Sequence, residues 1–161
     1  MMKFWLMASL VMLVSPALAM QCMPRPLEEN FKAADIIFVG KVEQRQAVES
    51  SEPDGICWKQ SEKQPLCGSK VATFAISKLW KGTLPDTHSV KVFSNDGCYC
   101  LGSYFETGKE YLVFANHMVD GTAEYTIRTV CDGTISTEEK DGDGKPIATE
   151  TMHQLDLMVT Q

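Results

Sequence analysis

No stretch of this chain is long enough to cross a bilayer. Its longest apolar run, Phe4 to Val14, is about half of the roughly 20 residues a spanning helix needs. Histidine is scarce: His88, His117 and His153 are scattered, with no His-x-x-x-His spacing to hold a catalytic zinc. No Gly-x-Ser-x-Gly elbow is present either, and a chain whose cysteines all pair keeps no thiol nucleophile. Together these gaps argue against an enzyme and against a resident cofactor. Positive charge is also short, with 15 Lys and Arg against 21 Asp and Glu, a net −6. Single-stranded nucleic acid binding needs a basic groove lined by stacking aromatics. Here Phe38, Phe74 and Trp80 fall in patterned strands, while Trp58, beside Cys57, lies in a loop. Asn-x-Ser/Thr acceptors and internal repeats are absent.

What is present begins with a secretory leader over residues 1–19. Lys3 supplies the positive end, Phe4 to Val14 the apolar middle, and Ala17-Leu18-Ala19 the small-x-small cleavage site. No lipobox ends at Cys22, so neither a lipid nor a membrane anchor is expected on the exported chain. Losing Lys3 with the leader moves the net charge from −6 to −7, which repels phosphate backbones. The remaining residues, 20–161, suit a single domain secreted to a periplasm or the extracellular space.

All six cysteines fall in that exported part: Cys22, Cys57, Cys67, Cys98, Cys100 and Cys131. An even number in an oxidising compartment reads as three disulfides. Strand-like runs occupy 35–44, 70–80, 88–94, 110–116 and 124–130, separated by turn chemistry such as Lys81-Gly82, Asn95-Asp96-Gly97 and Thr107-Gly108-Lys109. In the second run Ala72, Phe74, Ile76 and Trp80 share one face, opposite Val71, Thr73 and Ser77. Short helices are expected over 27–34, with Glu28 and Glu29 in the first turn, and over 149–159. Five short strands without a βαβ rhythm imply a mainly β fold. The expectation is a five-stranded OB-type Greek-key barrel with a short N-terminal helix and a C-terminal helix packed on it. A β-sandwich is the alternative, and five strands fit it poorly.

If the first three strands form a meander, the loop carrying Cys57 and Cys67 lies near Cys98 and Cys100. Two bridges within that group are expected, with the partners open, since a bridge across Cys98-x-Cys100 would close a strained ring. That leaves Cys22 with Cys131, a loop worth about 4–5 kcal/mol in the chain-entropy model. A Cu(I) site from Met20, Cys22 and Met23 would need a reduced thiol. Glu139-x-Asp141-x-Asp143-Gly144 approaches a calcium loop, but Glu opens it and Pro146 interrupts it, so a solvated acidic turn is expected.

Four segments stand out in order. The first is Cys22-Met23-Pro24-Arg25-Pro26 with Asn30-Phe31-Lys32-Ala33-Ala34-Asp35-Ile36-Ile37-Phe38-Val39-Gly40-Lys41-Val42, and the second Phe74-Ala75-Ile76-Ser77-Lys78-Leu79-Trp80-Lys81-Gly82. The third is Phe105-Glu106-Thr107-Gly108-Lys109-Glu110-Tyr111-Leu112-Val113-Phe114-Ala115, and the fourth Thr129-Val130-Cys131-Asp132-Gly133-Thr134. Together they resemble netrin-like domains, the modules shared with tissue inhibitors of metalloproteinases and their bacterial relatives. The resemblance implies a barrel with its N-terminal segment bridged to it, Cys22 and Cys131 matching that family bridge. It also implies a protein partner, with a zinc metalloproteinase as the sharp case. The binding edge would be Met20, Gln21, Cys22, Met23 and Pro24, supported by the loop from Asn95 to Gly102. In the inhibitors a Cys-x-Cys opens the chain and the first cysteine's amine and carbonyl chelate the target's zinc. Here Met20 holds that position, so the clamp on the first residue is missing. A non-inhibitory module binding another envelope protein or ligand is the alternative.

Overall fold

Two kinds of strand follow directly from the residues. The computed structural model describes residues 25–47, 69–83, 87–95, 103–119, 121–127 and 133–160. Strand β1 (Ile36–Ala47) opens with a continuous apolar run because both of its faces are covered. Ile36, Phe38 and Val42 point into one apolar cluster, while Ile37 and Val39 point into another. Strand β4 (Glu110–His117) repeats this: Tyr111, Val113 and Ala115 face the first cluster, Leu112 and Phe114 the second. Strands β2 (Ser69–Lys81) and β3 (Ser89–Asn95) alternate instead, with Ala72, Phe74, Val90 and Val92 inward. One covered face gives alternation and two give an unbroken apolar run.

The first cluster is the interior of a closed barrel. β1 pairs antiparallel with β2 and β2 with β3. β3 runs parallel to the short β5 (Tyr125–Thr126), β5 pairs antiparallel with β4, and β4 returns to β1. This closure gives the five-stranded Greek-key barrel of the OB type and excludes an open sandwich. Phe74 sits at its centre, edge-on to Phe38, Phe105 and Tyr111 at centroid distances of 5.5, 4.9 and 6.4 Å. Such pairs add about 0.5–1.5 kcal/mol each beyond the burial itself. Gly40 is required where β1 crosses β2, since a Cβ there would stand 2.9 Å from the Ala75 carbonyl oxygen.

The second cluster lies outside the barrel, under helices α1 (Leu27–Ala33) and α2 (Ile147–Val159). Leu155 is fully buried there against Ile37, Leu112 and Phe114. Trp80 belongs to this outer cluster, which corrects the expectation that it shares a face with Phe74. The cause is local. The β1–β2 register shifts at Ser77, and that one β-bulge reverses the side-chain parity of the residues that follow it. Leu79 therefore packs on the barrel interior and Trp80 turns outward beneath α2.

A sixth strand, β6 (Ile135–Ser136), pairs with β4 beyond β5 and was not anticipated from the sequence pattern. Between β5 and β6 the edge of β4 is completed by a side chain. Thr134 Oγ1 accepts from the Phe114 N–H at 3.0 Å and donates to the Phe114 carbonyl at 3.3 Å. One hydroxyl thus supplies both halves of a missing ladder step. The expected fifth strand over 124–130 is represented by Tyr125–Thr126, its last residues lying outside those described.

Candidate functional site

Met20, Gln21, Cys22, Met23 and Pro24 lie outside the described residues, as do Cys57, Cys67, Cys98, Cys100, Cys131 and Trp58. The structure does describe how the chain is fastened immediately after that edge. Helix α1 begins at Leu27 and is too short to hold itself together in water. Its last carbonyls would be left without partners, and two side chains from the barrel supply them. Lys81 Nζ donates to the carbonyls of Phe31 at 2.7 Å and Lys32 at 3.1 Å. Asn116 Nδ2 donates to the Ala33 carbonyl at 2.6 Å. The Lys81 ammonium also lies 5.3 Å from the Phe31 ring centroid, a cation over an aromatic face at the negative end of the helix.

Asp35 continues the clamp. Its Oδ2 accepts the backbone N–H of His117 at 2.9 Å and the Asn116 amide at 3.4 Å. The His117 N–H is the main cause that holds the Asp35 carboxyl below the usual carboxylate range, against a smaller opposing push from burial. The His117 ring stacks on Tyr125 with centroids 4.7 Å apart, and burial pushes the Tyr125 hydroxyl above its ordinary value. His117 is thus an exposed residue at the barrel end whose ring covers Tyr125. His153 is exposed on α2, and His88 sits in a turn with φ of 53°.

Helix α2 is pinned from the other side. Trp80 Nε1 donates to Asp156 Oδ1 at 2.7 Å, and Lys78 Nζ shares that oxygen while lying over the indole. The Lys78 hydrogen bond, followed by that of Trp80, lowers the Asp156 carboxyl from its ordinary value.

Between the two helices lies a groove of about 210 Å³ whose apolar wall includes Leu27, Phe114, Ile135 and Ile147. Arg25 and Asn30 also line it. Gly133 closes one side with φ of 96°, and a Cβ there would stand 3.1 Å from the Asn30 amide nitrogen and 3.3 Å from the Phe114 ring. The loop expected to support the N-terminal edge, Asn95 to Gly102, is described only at Asn95, in its backbone. Just outside it, Ser94 Oγ donates to the Ser103 carbonyl at 2.7 Å, tying its two flanks together. Next to it Tyr104 is exposed, with the Arg45 guanidinium 4.2 Å from its ring centroid.

The acidic segment folds as a tight turn. Asp141 Oδ1 accepts the backbone N–H groups of Asp143 and Lys145, both at 2.9 Å, and the Asp141 N–H donates to the Lys145 carbonyl. That carboxylate is occupied in shaping the turn. Among the described residues no three His, Cys, Asp or Glu side chains gather as metal ligands. No helix among them is long and apolar enough to cross a membrane.

The Lys81 and Asn116 contacts could not be read from the sequence, because they join positions 50 and 83 residues apart. A lysine following an aromatic at a strand end was their only signal. No family model and no curated protein matches this chain.

Proposed function

We propose that this chain is an exported, disulfide-stapled binding module of the netrin-like kind that engages a protein partner through Met20, Gln21, Cys22, Met23 and Pro24. The observation that supports it most is the fastening of α1. A seven-residue helix held by Lys81, Asn116 and Asp35 gives the segment just before it a fixed point of departure. A segment anchored at one end has less freedom to lose when it binds, and so keeps more of its contact energy as affinity. A bridge from Cys22 to Cys131 would fix the same edge covalently. The barrel topology favours this reading without selecting a partner, since one fold hosts many functions.

The partner class to test is a zinc metalloproteinase. The α-amine and carbonyl of Met20 would be its metal ligands, with more freedom than a disulfide-clamped first residue has. The test is inhibition of a panel of zinc proteases by the exported protein, before and after acetylation of its N-terminal amine. Inhibition that acetylation removes is the expected result. Inhibition that survives acetylation would overturn the zinc-directed mode. No inhibition at all would turn the reading to a non-inhibitory module for another secreted or envelope protein.

A further inference from the structure

The inward stripe of α2 is built from two kinds of apolar side chain. Ala148 and Leu155 are fully buried, whereas Met152 and Met158 are half-buried and pack on the outer cluster. Met152 stands three residues before Leu155 and Met158 three residues after it, so the two thioethers flank it on one face of the helix. The helix depends on this stripe. A 13-residue helix is marginal in water on its own, no side chain caps its first turn, and no basic residue stands in its last. The Asp156 carboxylate that meets Lys78 and Trp80 is half-exposed, so that contact adds only modestly.

We infer that Met152 and Met158 are sites of reversible oxidation by hydrogen peroxide, and that their sulfoxides release α2 from the barrel. The thioether sulfur attacks one peroxide oxygen and the O–O bond breaks. Sulfur gives up an electron pair and becomes a sulfoxide, while the other oxygen takes both protons and leaves as water. The product puts a strong dipole where an apolar tip packed on a cluster of Ile37, Leu112, Phe114 and Trp80. Half-burial suits the pair to this role. An oxidant reaches them from solvent, yet the helix is seated on them. Met118, also half-buried, lies just past β4 and belongs to neither apolar cluster, so its oxidation leaves α2 in place. The switch stands irrespective of what the N-terminal edge engages.

The test is graded treatment of the protein recovered from a secreting host with hydrogen peroxide, read by peptide mass and by amide exchange. N-acetyl-methionine in the same tube gauges the dose. Sulfoxide at positions 152 and 158 is expected, with exchange across 150–159 faster by about tenfold or more. Barrel amides such as Val42 should keep their protection. The two methionine sulfoxide reductases, one for each sulfoxide epimer, should restore the original exchange without any substitution. Met152→Leu combined with Met158→Leu conserves volume and should leave α2 protected after the same treatment, although Met20, Met23 and Met118 still oxidise. Both thioethers intact at a dose that converts all the N-acetyl-methionine would overturn the site. Exchange in α2 that oxidation leaves unchanged, that the reductases do not restore, or that rises equally in the double variant would overturn the release of the helix.

Discussion

Replacing Lys81 with methionine isolates the fastening of the N-terminal helix from the rest of the barrel. Methionine keeps most of the stem's length and apolar contact with Phe31, but removes the ammonium that bonds the Phe31 and Lys32 carbonyls. A hydrogen bond to a charged group contributes about 1.5–3 kcal/mol when sheltered, and a cation at a helix end about 0.3–1 kcal/mol. Lys81 is half-buried, so solvent takes part of this and a net loss of about 1–2 kcal/mol is expected. With a urea m-value of about 2 kcal/mol/M, the unfolding midpoint should fall by roughly 0.5–1 M with m unchanged. Amide exchange gives the sharper reading. The helical N–H of Ala34, bonded to the Asn30 carbonyl, should lose protection, while barrel amides such as Val42 keep theirs. An unaltered midpoint together with unaltered exchange in α1 would refute the idea that Lys81 holds this helix.

Three further outcomes follow from the same contacts. Thr134→Val keeps the shape but leaves the Phe114 N–H and carbonyl unpaired, a loss of about 1–3 kcal/mol, read by denaturation and by faster exchange at Phe114. Asp35 and Asp156 both have lowered carboxyl values, so their contribution is complete above the ordinary carboxylate value of about 3.9. It drains as pH falls through the lower folded values. Thermal melts should therefore weaken below about pH 4, and less steeply in a double Asp35→Asn, Asp156→Asn variant; equal acid slopes would contradict this. Cys22→Ser should weaken partner binding more than it lowers global stability, and affinity equal to the parent would count against the N-terminal edge.

How far the residues alone foretell this molecule differs from element to element. β1 and β4 were legible because two covered faces demand an unbroken apolar run, and α1 because Glu28 and Glu29 open a short amphipathic turn. The inward face of β2 was legible only as far as Ile76. Past Ile76 the bulge at Ser77 reverses the parity, and nothing in a period-two pattern announces an extra residue. β6 has two residues, too few for any periodicity, and is positioned by its pairing with Tyr111 and Leu112. Thr134 reads as an ordinary loop residue, since its role exists only beside a strand from another part of the chain. At the candidate site Leu27 and Phe114 fell in an expected helix and strand, while Ile135 and Ile147 lay outside every expected element. The meeting of Arg25, Asn30 and Gly133 was not visible in the sequence, because it depends on closure of the barrel.

A non-reducing peptide map of the protein recovered from a secreting host tests the proposed tether of the N-terminal edge most directly. The expected map contains a peptide beginning at Met20 joined through Cys22 to the peptide that carries Cys131. Free thiols at those two positions, or an unclipped leader, would contradict it.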